Sequence, residues 1–253
     1  MSTGFTGGER DWQAGLGHLR DAVRQEVVAR QVNAELTDTG VESIDLGCGQ
    51  GTQALRLARA GHPVTGVDAS AEMLARFDRA LAAEPAEVRT RVRLVHSDIS
   101  TQRSDLSPAP IVLCHGVLMY CPDPGPVLGT VAALTAPGGM ASLLVRNGDA
   151  LAMRPGLLGD WATCAAAFGS DRYLNRLGLA ARADRLADLT GRLAALGLTV
   201  TAWYGVRVFT DVAGDSAELP PDLDALIDCE ERAGRTDPYR GVAALLHVIA
   251  RRL

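Results

Sequence analysis

The stretch from Ile44 to Gly51 reads Ile-Asp-Leu-Gly-Cys-Gly-Gln-Gly. Glycine lets a chain turn tightly and lets its backbone approach a ligand closely, so Gly47, Cys48 and Gly49 can floor a nucleotide site. A dinucleotide fingerprint would need glycines at 47, 49 and 52; position 52 is Thr, and the third glycine is Gly51. Asp45 stands just before the loop. Asp68 lies about 20 residues past the first glycine, where a carboxylate can accept from both hydroxyls of a ribose. Its plainer role would be a helix cap, but Ser70 already stands in that place. In Ser97-Asp98-Ile99 the carboxylate can accept from an adenine amino group while Ile99 packs on the ring; a simple turn residue is the alternative for Asp98. His115 carries an imidazole able to act as a base near neutral pH or merely to line the site.

Placing these residues requires alternating strands and helices. Val41 to Leu46, Pro63 to Val67, Val92 to His96, Pro110 to His115 and Met140 to Val145 read as five strands. Between them, Thr52 to Ala60, Ala71 to Ala83 and Val127 to Leu134 read as helices, the last stopping at Pro137-Gly138-Gly139. Asp21 to Leu36 precedes them as an amphipathic helix. A further helix spans Asp184 to Leu196, and Thr199 to Phe209 and Ala244 to Ala250 add two strands with an antiparallel edge. This alternation predicts an α/β fold with a doubly wound, mostly parallel sheet. The expected organisation is an N-terminal helical segment over residues 1–36, a cofactor-binding core over 37–147, an insertion shaping the substrate site over 148–181, and the remainder of the core over 182–253.

The chain of 253 residues, with 47% apolar and 22% charged residues, suits one such domain with an insertion. Met1 to Arg10 has an acidic residue and no apolar core, so it does not read as a signal peptide; its Gly, Ser and Thr content suits disorder. No apolar run is long enough to span a bilayer. Five scattered cysteines without CxxC spacing speak against structural zinc or a disulfide framework, and a cytoplasmic location is expected. No metal is expected. Every basic residue other than histidine is arginine, which fits GC-rich coding, and the net charge of −5 excludes a generally basic nucleic-acid surface.

Gly47, Gly49, Asp68, Asp98 and Pro137-Gly138-Gly139 occur in the order and spacing of class I S-adenosylmethionine-dependent methyltransferases, and roughly residues 40 to 147 resemble that superfamily. The flanks narrow the match. They comprise Gly17-His18-Leu19-Arg20, His115-Gly116-Val117-Leu118, Asp123-Pro124, Asn147, the run from Gly205 to Asp211, Asp237-Pro238-Tyr239 and the run from His247 to Arg251. This set resembles the bacterial tRNA 5-carboxymethoxyuridine methyltransferases, which methylate the carboxylate of a modified wobble uridine. The resemblance implies a Rossmann-like fold with a seven-stranded, mostly parallel sheet, helices on both faces and an insertion after strand five. It implies S-adenosylmethionine bound by Arg20, Asp45, Gly47, Cys48, Gly49, Asp68, Ala69, Met73, Ser97, Asp98, Ile99 and His115, with Arg20 gripping the methionine carboxylate.

The acceptor would be tRNA or a small anionic molecule, held by Arg207 or Arg146, with His115 and Arg207 as the catalytic candidates. A small-molecule O- or N-methyltransferase remains the alternative, for which Trp161, Phe168 and Tyr173 would line a narrow apolar pocket. Arg207 reads as mid-strand, with its side chain opposite to those of Val206 and Val208. No acid nearby in sequence is an obvious partner for it: Asp211 would share its face only if the strand ran past Phe209. Nothing in the sequence fixes the oligomeric state.

Overall fold

The computed structural model describes residues 17–101, 106–175 and 178–253. The expectations for Met1 to Arg10, and the first sixteen residues of the N-terminal segment, lie outside the described residues.

Helix α1 (Leu19–Glu35) leads into strand β1 (Ser43–Leu46) and helix α2 (Thr52–Arg59). Strand β2 (Val64–Asp68), helix α3 (Ala71–Ala82), the short α4 (Ala86–Arg89) and strand β3 (Val92–His96) follow. Next come β4 (Ala109–His115), α5 (Gly125–Leu134) and β5 (Thr135–Arg146). Ser70 caps α3 as expected, its hydroxyl accepting from the Met73 amide at 3.2 Å. Helix α5 ends at Leu134, but the Pro-Gly-Gly turn is not a separate loop. Strand β5 already pairs at Thr135 with Ala109, skips register, and resumes at Met140 opposite Ile111. The Pro137–Gly139 segment is therefore a bulge within the strand.

The sheet order is β3-β2-β1-β4-β5-β9-β8, where β8 spans Leu198–Val206 and β9 spans Leu245–Arg252. Strands β1 to β5 pair in parallel, and β9 runs antiparallel to both β5 and β8. Period-two alternation splits the sheet between two cores. Ile111 and Leu113 of β4 face α1, α2, α3 and α9 (Leu223–Gly234); Val112 and Cys114 face α5 and α8 (Leu186–Ala195). Between β5 and α8 the chain leaves the sheet, forming α6 (Met153–Leu157), α7 (Trp161–Ala167) and a two-stranded ribbon, β6 (Arg172–Leu174) with β7 (Ala180–Arg182). Neither α6 nor α7 buries a residue.

Strand β8 ends at Val206, three residues earlier than expected. Arg207 takes a left-handed φ of 60° and the chain then turns through Thr210–Val212. Glu230 of α9 imposes this turn. Its buried carboxylate accepts from the amides of Val208, Phe209 and Thr210 at 2.7, 3.1 and 2.9 Å, and from the Thr210 hydroxyl at 2.7 Å. Four donors converging on one carboxylate outweigh the extended preference of Val-Phe-Thr.

Candidate active site

At the C-terminal ends of β1, β2 and β4 lies a cleft whose empty space, open mouth included, is about 1050 Å³. Such strand ends are where open α/β sheets bind ligands. Gly47 follows β1 with φ of +72°, and a Cβ there would meet Val117 Cγ2 at 2.3 Å. Gly51 has φ of +85°, and its Cβ would fall 2.3 Å from the Phe77 ring. Both positions therefore require glycine, and the loop between them presents bare backbone to the cleft.

Asp45, Gly47, Cys48, Gly49, Asp68, Ala69, Met73, Ile99 and His115 all line this cleft. Asp68 ends β2; one of its oxygens accepts from the Gly49 amide and the other from the Ser70 amide, each at 2.8 Å. These bonds fix the carboxylate in the cleft wall. Asp45 is buried behind it, and burial, together with the charge of Asp68, raises its carboxyl to about 7. Ser97 and Asp98 stand just outside the lining. The Asp98 carboxylate accepts from the amide and hydroxyl of Ser100 at 2.8 and 2.7 Å. Burial pushes its pKa up, but the Ser100 bonds outweigh this and hold it below the usual range.

Arg20 is placed differently from the reading that put it on the methionine carboxylate. Its guanidinium donates to the carbonyls of Asp211 and Ala213 at 3.4 and 3.2 Å and pairs with Asp215 at 2.8 Å; it does not line the cleft. Arg24, one turn further along α1, does. Gln25, Gln53 and Tyr120 also line it and were missed. Gln25 lies on the amphipathic α1, whose path over the cleft is set by tertiary packing; Gln53 of α2 and Tyr120 after β4 carry no local signal.

His115 differs from the general-base reading. Burial, with the charge of Arg24 beside it, lowers its pKa to about 3. A base that weak takes up little proton near neutrality.

Beyond the cleft, Arg207 is not a mid-strand residue without a partner. Because the chain turns after Val206, Asp211 comes back to pair with it at 3.0 Å. The second Asp211 oxygen takes Arg146 at 3.4 Å. Burial raises the Asp211 carboxyl, but Arg207 and Arg146 outweigh it and keep the group ionised, while burial lowers Arg207 to about 10. Two guanidiniums thus share one carboxylate. The Nε atoms of Arg207 and Arg146, and one terminal nitrogen of Arg154, are buried without a partner among the described residues. The Tyr173 ring lies 5.4 Å below Arg146. Arg146 stands two residues beyond Leu144, which lines the cleft, so the arginine pair and the cleft share one edge of the sheet.

Residues 44–141 match the family described as Methyltransferase domain. The chain is 30% identical over 237 residues to the tRNA 5-carboxymethoxyuridine methyltransferase of Escherichia coli (strain K12), covering 93% of this chain and 89% of the relative. The chain belongs to the class I S-adenosylmethionine-dependent methyltransferases, in the tRNA 5-carboxymethoxyuridine methyltransferase family.

A ubiquinone biosynthesis O-methyltransferase from Psychrobacter cryohalolentis is also 30% identical, over 135 residues covering 52% of each chain. Among solved structures, the glycopeptide N-methyltransferase MtfA complexed with S-adenosyl-L-homocysteine has a TM-score of 0.60 at 18% identity, covering 91% of this chain and 90% of that one. An S-adenosylmethionine-dependent methyltransferase from Mesorhizobium loti has a TM-score of 0.59 at 20% identity, covering 88% and 96%. Both share the fold. S-adenosylmethionine is this enzyme's cofactor, and the cradle suits it: a glycine floor that a Cβ would fill, a fixed carboxylate at the end of β2, and an unpartnered buried nitrogen on His115. Among the described residues no group of three or more His, Cys, Asp or Glu is placed to hold a metal, and no helix is long and apolar enough to cross a membrane.

Proposed function

We propose that this methyltransferase esterifies the carboxylate of a modified wobble uridine in cytoplasmic tRNA, and that Arg207 and Arg146 hold that carboxylate. The observation that carries this reading is the arginine pair itself: a buried Arg146 and a largely buried Arg207 guanidinium, one carboxylate between them, and two buried Nε donors without partners among the described residues. A buried charge left in surplus needs a counter-ion. A carboxylate acceptor supplies one, and a guanidinium fork suits it. The name of the Escherichia coli relative points to an acceptor of the same chemistry.

The bound cofactor supplies a sulfonium methyl and departs as a neutral thioether. Cofactor binding would fall to Asp68, which accepts from the ribose, Asp98 and Ile99 at the adenine end, the 47–49 backbone, and Arg24 of α1 at the methionine end. A carboxylate is already ionised at neutral pH and needs no base. A His115 that stays neutral is consistent with that. The arginines would hold and align the acceptor carboxylate toward the methyl group that the cofactor would supply, and alignment with exclusion of water is the main work left to the protein. The small-molecule alternative lacks its pocket, for Trp161 and Phe168 are 71% and 75% exposed and Tyr173 packs under Arg146 instead.

Incubation of the enzyme and cofactor with tRNA carrying 5-carboxymethoxyuridine, followed by mass spectrometry of the nucleosides, tests this reading. The methyl ester should appear. Arg207→Lys, which keeps the charge and loses the fork, should slow its formation roughly tenfold or more, with cofactor affinity unchanged. A variant that melts at lower temperature yet esterifies at the wild-type rate would make Arg207 a structural residue. Absence of the ester with active, cofactor-loaded enzyme would overturn the tRNA acceptor.

A further inference from the structure

We propose that a buried chain of hydrogen bonds, Gln31–His247–Ser142–His115, fixes His115 as its Nε2–H tautomer and so holds Nδ1 as a lone-pair acceptor in the wall of the cofactor cleft. Gln31, His247 and Ser142 are then positioning residues.

The direction of each bond follows from the one before it. Gln31 on α1 donates from Nε2 to the Gly205 carbonyl at 3.4 Å. The reverse amide orientation would set its oxygen against that carbonyl with no hydrogen between them. Gln31 Oε1 therefore faces His247 Nδ1, 2.7 Å away, and accepts from it. His247 is fully buried. Its ring neighbours are His115, edge-on at 5.5 Å, and Tyr204 at 5.9 Å, with the Arg235 guanidinium 5.2 Å from the Tyr204 ring centroid. Gln31, not a carboxylate, receives its Nδ1–H, so a second ring proton would create a buried cation without a counter-ion. Burial and the neighbouring His115 act in the same direction.

His247 Nε2 is accordingly bare and accepts from the Ser142 hydroxyl at 2.7 Å. A serine has one hydroxyl proton. With that proton spent on His247, Ser142 Oγ accepts from His115 Nε2–H at 2.8 Å. His115 Nδ1 is left unprotonated, buried and without a partner among the described residues, on a side chain that lines the cleft.

An unsatisfied acceptor is costly unless something donates to it. Arg24, one nitrogen of which pairs with Asp21 at 2.6 Å, lines the same cleft close to His115, so a cation and a neutral acceptor stand side by side. That pairing matches an α-amino acid, whose carboxylate seeks the one and whose ammonium seeks the other. Within the cofactor this is the methionine end. The opposite tautomer would turn an N–H toward that ammonium.

Long-range proton–nitrogen correlation spectra of histidine-labelled, ligand-free protein read the tautomers directly and do not depend on the identity of the methyl acceptor. Wild-type protein should show His115 protonated on Nε2 and His247 on Nδ1, both neutral from about pH 5 to 8. Ser142→Ala cuts the chain with little change of shape. Its His115 should populate both tautomers, and affinity for S-adenosylhomocysteine should fall roughly two- to tenfold. Gln31→Glu sets a carboxylate against His247 and favours the imidazolium; the Nδ1–H bond to residue 31 keeps its direction, but the two bonds through Ser142 should reverse, moving the His115 proton to Nδ1. A wild-type His115 protonated on Nδ1, or unchanged His115 signals in folded Ser142→Ala, would overturn the relay. A shifted tautomer with unchanged affinity would overturn the acceptor role. If Gln31→Glu does not fold, Ser142→Ala decides alone.

Discussion

Asp45 and Asp68 share one cleft, and their closeness marks the protonation of Asp45. Asp45 rises from 3.8 to about 7, first through burial and then through the charge of Asp68. Between about pH 4 and 7 the folded protein thus keeps a proton that the unfolded chain has lost, so stability falls as pH rises through that window, by on the order of a few kcal/mol. Asp45→Asn should flatten this slope, as read from melting temperatures of the ligand-free protein at successive pH values; an unchanged slope would place the effect elsewhere. The arginines of α1 give a second prediction. Arg24→Ala should weaken S-adenosylhomocysteine binding in calorimetry more than Arg20→Ala, because Arg24 lines the cleft and Arg20 does not; each is ion-paired, Arg24 to Asp21 at 2.6 Å and Arg20 to Asp215 at 2.8 Å. An equal or greater loss in Arg20→Ala would show that its guanidinium leaves those partners for the ligand. At this scale the sequence was most informative where chemistry is local. Gly47, Asp68 and Ile99 sit at fixed distances from strand ends, whereas Arg24 reaches the cleft only because α1 crosses it.

The elements show the same division. The helix after β2 and its Ser70 cap were legible because capping is settled within four residues. The end of β8 was not, since Val-Arg-Val-Phe-Thr has strand composition and only Glu230, more than twenty positions later, bends it. That bend creates the proposed acceptor site: it returns Asp211 to Arg207 and sets both beside Arg146. Glu230→Gln keeps the size of the side chain but replaces acceptor lone pairs with donors that face amides. It should cost on the order of 2 kcal/mol, lowering the melting temperature by about 4–8 °C. It should also slow transfer to the carboxylate acceptor more than it weakens cofactor binding. A stable variant with wild-type transfer would mean that the turn holds without its carboxylate.

Across the whole molecule, the strand-helix alternation was enough to foresee a parallel sheet, because each unit can pack back on the sheet in only one hand. It did not place the last two strands in order. Strand β9 follows every other strand in sequence, yet it lies between β5 and β8 and hydrogen-bonds to both. During synthesis β5 therefore emerges and waits, its open edge exposed, until some hundred further residues have been made. His247 arrives on that strand, so the wall of the cofactor cleft is not set until the sheet closes. A ribosome-bound chain lacking residues from 245 onward would carry the whole glycine loop and still lack its His115 relay. Competence to hold the methyl donor thus becomes a late checkpoint of folding, reached only when the final strand slots in between β5 and β8 of a sheet begun two hundred residues earlier.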